Sequence, residues 1–540
     1  MDKAKAAALA VLQKHACAKN KYSYGTAGFR FEVDEFSPQV FCRTGMLAYF
    51  RSCVLGGETV GLCITASHNL GKDNGVKLID PDGGMLAASW EQLATEVVNA
   101  PSNEECVRLL LELCDRYVVG QPSRVLLARD TRESSESLEQ CAMEGISAWG
   151  GVCESLGLAT TPQLHYCVME GNSKGFVKGF PPSLVGYEQL VCDAYLQLTE
   201  GTGKLEGEWA VDCSNGIGGL RFASIAQKLG FGQLFNVDNL QELNSGCGAE
   251  FVQKGQLPPS NLPVHAVSRF ASFDGDADRV VCFYVEDNLE RRFHLLDGDK
   301  IASLFASFIT QQLDVLGLTQ VTIGTVQTAY ANGSSTAFLR HTLQVEVPIV
   351  KTGVKHLHHQ ALEYDVGIYF EANGHGTVLF RPSFIARIQS LPTSTAKQRL
   401  LGLVMLLNQA TGDAIADLLA VDAVLRVLEF SSFAQWNSLY SDLPSRQEKV
   451  KCVDRSVVEV NEDETRCVKP AELQLKLDAA VQRAQGGRVF VRPSGTENVI
   501  RVYAEANTQV DADLLAEVAR AAICEFAGGI SPPEAKRAKH

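Results

Sequence analysis

Short apolar runs that end in small or polar residues recur along the chain, and helix-prone segments follow most of them. This repetition is typical of α/β domains with parallel sheets, whose ligands bind at the carboxyl ends of the strands. The runs predict strands at residues 60–65, 125–130, 209–213, 280–284, 321–326 and 366–370. The other segments predict helices at residues 3–18, 134–147, 220–229, 299–313, 328–340 and 396–429.

A shift in composition near residues 441–450 indicates a domain boundary. Beyond it the pattern predicts strands at 454–460, 487–491 and 499–506, and helices at 470–485 and 511–526. Residues 499–506 alternate between apolar and polar, which is typical of a half-buried strand. The tail from Gly528 contains prolines and basic residues and is expected to be disordered.

The composition is that of an ordinary soluble protein, with 46% hydrophobic and 21% charged residues in 540. This length indicates about three or four domains. We expect no membrane association and a cytoplasmic location, because no apolar run approaches a membrane span and the first residues lack the apolar core of a signal peptide. A monomer is the favoured oligomeric state.

The cysteines and the net charge exclude several classes of function. The sixteen cysteines are scattered without a Cys-x-x-Cys pair, so they indicate buried reduced thiols and not a disulfide framework or a zinc site. The net charge of −14 argues against a general nucleic-acid binder. An anionic substrate would therefore need a local concentration of positive charge.

The strongest local signal is an acidic run in which small residues separate Asp274, Asp276 and Asp278. Carboxylates this close are costly unless a cation neutralises them, and hard oxygen ligands suit Mg²⁺. An EF-hand loop is disfavoured because Arg279 and Val285 stand where it needs Gly and Glu. An aspartate nucleophile of the haloacid-dehalogenase kind would favour Thr or Val four residues after the first Asp. Asp278 stands at that position, so this kind of site is also disfavoured. A solvated acidic turn remains the alternative to a magnesium site.

Two earlier loops carry candidate polar side chains. The glycine-bracketed segment 24–30 presents Arg30, and the loop after the strand at 60–65 contains Ser67 and His68. Adjacent residues of an extended segment point in opposite directions, so a hydrogen bond between Ser67 and His68 is not expected. Local sequence alone therefore favours a turn serine over a nucleophile.

Three later loops have the chemistry of anion or hydroxyl binding. The basic segment 351–359 favours anion contact by its lysines, and the loop 371–376 carries Glu and His groups able to bond hydroxyls. A compact donor set typical of a phosphate cradle follows a strand, and it comprises Arg492, Ser494, the Gly495 amide and Thr496.

Taken together and in this order, the loops resemble those of the α-D-phosphohexomutases. Residues 65–69, 274–279, 371–375 and 492–497 look like the phosphoserine, metal, sugar and phosphate loops of that superfamily. The resemblance extends to about residue 526. Within the superfamily, residues 351–355 and 371–376 are most similar to the phosphoacetylglucosamine mutases. Leu70 departs from the proline that is common in related enzymes, which implies a less rigid loop.

The resemblance implies an α/β fold of four domains around a central cleft. Three are related mixed-sheet α/β domains and the last is a smaller C-terminal α+β domain. The expected boundaries are 1–185 for the phosphoserine loop, 186–295 for the metal site, 296–445 for the sugar and 446–540 for the phosphate. The implied reaction interconverts N-acetylglucosamine 6-phosphate and 1-phosphate through a 1,6-bisphosphate.

The resemblance also implies residue roles. Ser67 would carry the phosphoryl group, and its phosphate with Asp274, Asp276 and Asp278 would hold Mg²⁺. The other expected catalytic residues are Arg30, His68, Lys77, Arg279 and His375. The expected substrate-binding residues are Lys351, Thr352, Gly353, Glu371, Asn373, Gly374, His375, Arg492, Ser494, Gly495, Thr496 and Arg501.

Three alternatives stay open at this point. The first is a phosphoglucomutase or phosphomannomutase of the same superfamily. The second is a sugar-phosphate sensor without turnover, although the chain retains Ser67 and all three aspartates. The third is a phosphatase with Asp274 as nucleophile. All of these place a small sugar phosphate, and no nucleic acid, as the partner.

Overall fold

The computed structural model describes residues 2–15, 21–25, 27–32, 37–116, 122–175, 179–205, 207–264, 269–495 and 498–530. The chain forms two compact units. The first unit comprises Met1–Val321 and Asn373–Trp436, and the second comprises Thr322–Ala372 and Asn437–His540. The four expected domains are a finer division, and their boundaries stay a prediction.

The regular elements follow in chain order. The helices are α1 (Asp2–Gln13), α2 (Pro38–Val54), α3 (Ala88–Val98), α4 (Asn103–Arg116), α5 (Ser135–Ala148), α6 (Thr161–Gly171), α7 (Leu184–Leu198), α8 (Ile217–Leu229), α9 (Ala249–Gly255), α10 (Gly298–Val315), α11 (Gly333–Ala337), α12 (Val354–Ala361), α13 (Pro382–Ser390), α14 (Thr395–Leu406), α15 (Ala414–Val427), α16 (Phe433–Asn437), α17 (Ala471–Val481) and α18 (Gln509–Phe526). Short 3₁₀ turns occur at Leu240–Glu242 and Arg455–Val457, and a π-helical turn occurs at Phe338–Thr342. The strands are β1 (Phe29–Phe31), β2 (Thr59–Ile64), β3 (Asn74–Ile79), β4 (Arg124–Arg129), β5 (Val152–Leu158), β6 (Trp209–Asp212), β7 (Gln233–Phe235), β8 (Arg269–Phe273), β9 (Val280–Val285), β10 (Phe293–Leu296), β11 (Ile323–Thr328), β12 (Ile349–Val350), β13 (Val366–Phe370), β14 (Gly376–Phe380), β15 (Ser445–Lys451), β16 (Glu459–Val460), β17 (Cys467–Lys469), β18 (Arg488–Pro493) and β19 (Val499–Glu505).

The first sheet of unit one is mixed, with the order β1-β3-β2-β4-β5. β2, β4 and β5 run parallel, whereas β3 returns antiparallel to β2 and pairs Lys77 with Cys63. The strand pattern indicated parallel pairing, and the mixed sheet that the family resemblance implied is confirmed. β3 begins at Asn74 and carries Lys77 back toward the strand end that precedes Ser67.

The second sheet of unit one positions the acidic run. Its order is β10-β9-β8-β6-β7, and β6 is parallel to both β7 and β8. β8 and β9 are antiparallel, with Phe273 opposite Val280. The acidic run is therefore the tight connection between two fully paired strands. Their buried apolar side chains anchor both ends of this turn.

Unit two contains parallel and antiparallel strands. β11 pairs in parallel with β12 and β13, so the loops that follow these strands leave one edge. The C-terminal strands form the antiparallel order β15-β19-β18, and α17 and α18 contribute to the same apolar core. Mixed-sheet α/β architecture with a smaller C-terminal part confirms the predicted fold class.

Several predicted elements differ from the structure. The strand predicted at 454–460 is wrong, since that segment holds a 3₁₀ turn and only Glu459–Val460 are extended. The polar segment 441–450 contains the start of β15, a strand that was not predicted, and the domain boundary expected there stays a prediction. The helical region predicted at 396–429 comprises two helices, α14 and α15, and Asp413 caps α15 by accepting from the Ala416 amide. The helix predicted at 3–18 ends at Gln13.

The state of the cysteines and the absence of membrane-spanning helices were both expected from the sequence. Fifteen cysteines lie there and all are free thiols, twelve of them buried. None of the described helices combines the length and the apolar character that crossing a membrane requires. The predicted disorder from Gly528 is wrong for residues 528–530, because the Val453 amide donates to the Gly528 carbonyl and the Ile530 amide donates to the Lys451 carbonyl. Residues 531–540 lie outside the described residues, so the predicted disorder of that part stays a prediction.

Candidate active site

Ser67 and the acidic turn meet in the interior of unit one. The Ser67 hydroxyl donates to Oδ2 of Asp274 at 2.8 Å, and both residues are fully buried. Ser67 has a φ of 51°, so it is left-handed and not extended. The local argument against a nucleophile assumed extended backbone and was wrong on that point. The Ser67 side chain is in contact with one of the predicted metal ligands, Asp274.

The three aspartates have the geometry of a cation site. Asp274, Asp276 and Asp278 are buried, and ligand oxygens from all three lie within 4.8 Å of one another. Oδ1 of Asp276 is buried without a hydrogen-bond partner among the described residues, whereas Oδ1 of Asp278 lies 3.4 Å from Nδ1 of His375 and 3.6 Å from Nε of Arg279. An unpaired carboxylate oxygen such as Oδ1 of Asp276 is costly in an interior, so the three aspartates together fit a hard divalent cation such as Mg²⁺.

Burial and mutual repulsion shift the pKa values of these carboxyls in different directions. Burial, and then the charges of Asp278 and Asp276, raise the pKa of Asp274 well above its usual range. Burial also raises the pKa of Asp276, but Lys77 and the Thr161 hydroxyl more than reverse that effect and lower it. Three ionised carboxylates at this site would repel one another, so their ionisation is unfavourable without further positive charge.

Lys77 and Thr161 fix the orientation of Asp276. The ammonium of Lys77 lies 2.8 Å and the Thr161 hydroxyl lies 2.7 Å from the same oxygen, Oδ2. Oδ1 is thereby turned toward the other two carboxylates. Thr161 begins α6, directly after its N-cap residue Thr160. Sequence reasoning missed Thr161, and the only local signal was the capping pattern ahead of Pro162.

Two side chains from distant segments hold the Ser67 loop. Arg132 donates to the carbonyls of Ser67 and Asn69 at 3.0 and 2.7 Å, and Asn244 donates to the same two carbonyls at 2.8 Å each. A Cβ on Gly275 would lie 2.5 Å from the Ser67 carbonyl oxygen, so only glycine allows this approach. Arg132 follows a predicted strand in the sequence, but no local sequence pattern predicted its hydrogen bonds to the Ser67 loop.

A basic cluster flanks the serine, and Glu250 links its members. His68 Nε2 lies 3.0 Å and Arg279 Nη1 lies 3.6 Å from Oε2 of Glu250. Arg30 Nη1 lies 3.4 Å from both ring nitrogens of His68. Burial lowers the pKa of His68 to about 4 and also lowers the pKa of Arg30. A cleft of about 420 Å³ opens beside His68 and Glu250. Sequence reasoning missed Glu250.

His375 lies against the acidic turn from another segment of unit one. Its Nδ1 is 2.9 Å from the Asp278 carbonyl oxygen, and its backbone amide donates to Oδ1 of Asn373 at 2.9 Å. Gly374 has a φ of 86°, and a Cβ there would lie 2.0 Å from the Val280 carbonyl oxygen. The predicted sugar-loop residues Asn373, Gly374 and His375 are therefore next to the metal turn.

The remaining predicted substrate residues belong to unit two. Lys351, Thr352 and Gly353 directly precede α12, and a cleft of about 690 Å³ is lined by Lys351 and His356 among others. Glu371 follows β13 and is half-buried.

The phosphate-cradle residues lie on the C-terminal sheet of that unit. Arg492 and Arg501 are register partners on β18 and β19, and the Nε–H groups of both are buried without a hydrogen-bond partner in the described part of the chain. The Ser494 amide donates to the Val499 carbonyl at 2.9 Å, and Gly495 is exposed. Unsatisfied guanidinium donors fit an anion. Thr496 lies outside the described residues.

Three regions of the chain match described protein families. Residues 297–430 match domain III of phosphoacetylglucosamine mutase AMG1. Residues 447–522 match the C-terminal domain of phosphoglucomutase/phosphomannomutase, and residues 33–105 and 94–178 match the alpha/beta/alpha domain I of that family.

Whole-chain relatives agree with these matches. The phosphoacetylglucosamine mutase of Sus scrofa is 43% identical over 541 residues, which cover 97% of this chain and 98% of the relative. The Homo sapiens phosphoacetylglucosamine mutase is 44% identical over 94% of both chains. The crystal structure of the Aspergillus fumigatus N-acetylphosphoglucosamine mutase with GlcNAc-6P and magnesium has a TM-score of 0.92 and 39% identity, and covers 97% of this chain and 99% of that one.

Proposed function

The chain belongs to the phosphoacetylglucosamine mutase family, and from that premise we propose that it interconverts N-acetylglucosamine 6-phosphate and N-acetylglucosamine 1-phosphate. The phosphoryl group would reside on Ser67, and a 1,6-bisphosphate would be the intermediate. The observation that carries the proposal is the hydrogen bond of 2.8 Å between the Ser67 hydroxyl and Asp274. The product would supply UDP-N-acetylglucosamine synthesis.

The residues present fit Mg²⁺, and we assign its binding to Asp274, Asp276 and Asp278 with an oxygen of the Ser67 phosphate. The buried, unpaired Oδ1 of Asp276 and the convergence of ligand oxygens from all three aspartates support this assignment. When bound, Mg²⁺ supplies positive charge that stabilises the negative charge on a transferring phosphoryl group. Lys77 and Thr161 keep Asp276 turned toward the site before any ion arrives.

Phosphoryl transfer depends mainly on positioning and on charge neutralisation. A hydroxyl of the sugar attacks the phosphorus on Ser67, the new sugar O–P bond forms, and the Ser67 O–P bond breaks. Arg279 stabilises the equatorial oxygens, since its guanidinium lies 3.8 Å from Asp274 and 3.6 Å from Asp278. Arg30 adds charge beside His68. Transfer of the other phosphate back to Ser67 completes the reaction.

The attacking hydroxyl must lose a proton, and His375 is the best-supported acceptor. Its Nδ1 lies against a carbonyl, which only accepts, so Nδ1 carries the hydrogen and Nε2 carries the lone pair of the neutral ring. Lys77 is bound to Asp276, and the carboxylates raise its pKa although burial opposes them. Lys77 therefore acts as a cation or proton donor. His68, held by Glu250, has an orienting role.

The remaining residues are proposed to bind the sugar phosphate. Glu371 and Asn373 would bind sugar hydroxyls, with Gly374 shaping the loop. The non-reacting phosphate would be bound by Lys351, Thr352, Gly353, Arg492, Ser494, Gly495, Thr496 and Arg501. The unsatisfied Nε–H donors of Arg492 and Arg501 support this assignment. These residues also provide the local positive charge that an anionic substrate needs in a chain of net charge −14.

A comparison of two substrates tests the proposal. Initial mutase rates on N-acetylglucosamine 1-phosphate and glucose 1-phosphate, each with Mg²⁺, should favour the acetylated sugar. A clear preference for glucose 1-phosphate would instead indicate a phosphoglucomutase. Release of inorganic phosphate without isomerisation would indicate a phosphatase with Asp274 as nucleophile. Intact mass then separates the enzyme from a sensor, because only the enzyme should carry phosphate that Ser67→Ala removes.

We also propose that the protein acts as a monomer in the cytoplasm. The Ser67 loop, the acidic turn and His375 all come from one chain. The free thiols of the described residues suit a reducing compartment. Sedimentation of the purified protein and fractionation of cells that produce it would test the two statements separately.

A further inference from the structure

Glu464 is a buried carboxylate in unit two that the proposed reaction does not use. It lies in the turn between β16 and β17, and its side chain is only 12% exposed. Asn461 closes this turn, since its side chain accepts from the Arg466 amide at 2.9 Å and its carbonyl accepts from the Glu464 amide at 3.1 Å. Glu464 has a φ of 60°, a left-handed conformation that is unfavourable for a non-glycine residue.

Three donors converge on a single oxygen of Glu464. The Thr352 amide donates to Oε2 at 3.0 Å, the Thr352 hydroxyl donates at 2.6 Å, and Nη1 of Arg492 lies 3.4 Å away. Thr352 and Arg492 come from different segments of unit two. Both were assigned to the substrate phosphate on other grounds. The Glu464 carboxylate therefore occupies hydrogen-bond donors that are proposed to bind the phosphate of the substrate.

Glu464 is paired with the guanidinium of Arg492, although Glu462 and Asp463 precede it in the same turn. Arg492 and Arg501 are register partners, and both keep a buried Nε–H without a hydrogen-bond partner among the described residues. Lys351 and Glu464 act in opposite senses on the pKa of His356, which burial lowers. The Glu464 carboxylate thus offsets part of the positive charge of Arg492. A dianionic phosphate would be repelled by Glu464 if the carboxylate stayed in place.

The turn that carries Glu464 borders open space. Asn461, Glu462 and Asp463 line the cleft of about 690 Å³ together with Lys351 and His356. A glutamate side chain has three rotatable bonds, so its carboxylate can leave the donors by rotation without unfolding of the turn. The cleft offers room for the displaced group.

We propose that Glu464 is an internal substitute for phosphate: its carboxylate occupies the Thr352 and Arg492 donors in the substrate-free protein, and the non-reacting phosphate of the substrate displaces it. The identity of the substrate in this statement rests on the proposed function. Glu464 keeps the two segments in the arrangement that binds phosphate, and it lowers the apparent affinity because each binding event must first release the carboxylate. The same competition favours product release.

The experiment measures phosphate binding by the full chain with Glu464 neutralised. Calorimetric titration with inorganic phosphate and with N-acetylglucosamine 6-phosphate is compared for the native protein and Glu464→Gln, at low ionic strength. The glutamine side chain would keep an oxygen for Thr352 but not the charge, so Kd for both ligands should fall about tenfold. KM for the sugar phosphate should fall in parallel. Kd for neutral N-acetylglucosamine should not change.

Glu462→Gln is the matched control, because it removes a charge from the same turn and the same cleft. It should change Kd less than twofold. Glu464→Asp retains the charge on a shorter side chain and should tighten phosphate binding less than Glu464→Gln does.

An unchanged or higher Kd in Glu464→Gln, with an unchanged circular dichroism spectrum, would overturn the proposal. If Glu464→Gln does not fold, Glu464→Asp is the test variant. A Kd for phosphate that is higher in Glu464→Asp than in the native protein would then overturn the proposal. Tighter phosphate binding in a protein without mutase activity would uphold the inference and refute the proposed function.

Discussion

The hydroxyl of Ser67 donates a hydrogen bond of 2.8 Å to Oδ2 of Asp274, although 207 positions separate the two residues. The contact joins the loop after β2 to the turn between β8 and β9. It is the reason that a serine and an acidic run, each common in isolation, form one site.

Asp274→Asn should weaken divalent cation binding on the order of 100-fold or more. Asparagine can still accept from Ser67, but the site loses one of three anionic ligands. The metal-free variant should be no less stable than the native protein, because burial and repulsion disfavour the charge of Asp274. Thermal unfolding with and without Mg²⁺ measures both effects, with Asp314→Asn on the exposed face of α10 as the control. An equal Mg²⁺-induced rise in Tm for native protein and Asp274→Asn would contradict the assignment.

Thr161→Val should lower the affinity for Mg²⁺ or Mn²⁺ by about 10-fold to 100-fold, because the valine cannot hold Oδ2 of Asp276. Thr161→Ser keeps the hydroxyl and should restore most of the affinity. Calorimetric titration with the metal ion alone is the measurement. Thr310→Val is the control, since its hydroxyl donates to the Ala306 carbonyl within α10 at 2.8 Å. If Thr161→Val binds Mn²⁺ as the native protein does, Lys77 alone orients Asp276.

Gly275→Ala should reduce mutase activity strongly and destabilise the fold by about 1–3 kcal/mol. Its Cβ would lie 2.5 Å from the Ser67 carbonyl oxygen and 2.7 Å from the Asn244 amide nitrogen, and one contact is with backbone that has little freedom to move. Gly171→Ala is the matched control, because a Cβ there meets nothing within 4 Å. The control should be neutral or slightly stabilising near the end of α6. The free energy of unfolding in urea and the initial mutase rate are measured for both variants. Equal values for Gly275→Ala and Gly171→Ala would exclude the close approach of residue 275 to the Ser67 carbonyl.

The stability of unit one should depend on pH through Asp413, which is fully buried and accepts from the Tyr187 hydroxyl at 2.8 Å. Burial raises the pKa of Asp413 to about 6. The folded state therefore holds the proton more tightly than the unfolded state, so stability from this group is full below about pH 4 and is lost as the pH rises through about 6. The loss amounts to about 3 kcal/mol at most.

Asp413→Asn should not show this loss of folding stability as the pH rises, because asparagine does not ionise. The variant should gain stability relative to the native protein between pH 4 and pH 7, as measured by urea unfolding at each pH, whereas Asp314→Asn should follow the native curve. Parallel curves for Asp413→Asn and the native protein would show that the Asp413 carboxyl does not titrate in this range.

Local sequence predicted the parts of the fold whose burial shows in the pattern. The apolar run at 366–370 coincides with β13, and the acidic run indicated a cation site by its charge density alone. β15 was missed because it is an edge strand with mostly exposed polar side chains, so no apolar alternation marks it. The break before α15 was missed because apolar residues continue through it, and only the Asp413 cap ends the pattern.

The site itself depends on contacts that no local pattern contains. The role of Ser67 came from resemblance to a family, since its left-handed backbone and its bond to Asp274 arise only in the folded chain. Thr161, Glu250 and Glu464 were missed for the same reason. Each is an ordinary residue in the sequence and becomes informative only through a partner more than a hundred positions away.

The most direct test follows the interconversion of N-acetylglucosamine 6-phosphate and 1-phosphate by ³¹P NMR, with Mg²⁺ and a trace of the 1,6-bisphosphate. Three proteins are compared: the native chain, Ser67→Ala, and Ser303→Ala as a control at another fully buried serine. We predict that Ser303→Ala retains nearly full activity and that Ser67→Ala loses about 10⁴-fold or more, as removal of a nucleophile does. A Ser67→Ala protein that keeps a tenth or more of the native rate would contradict the account.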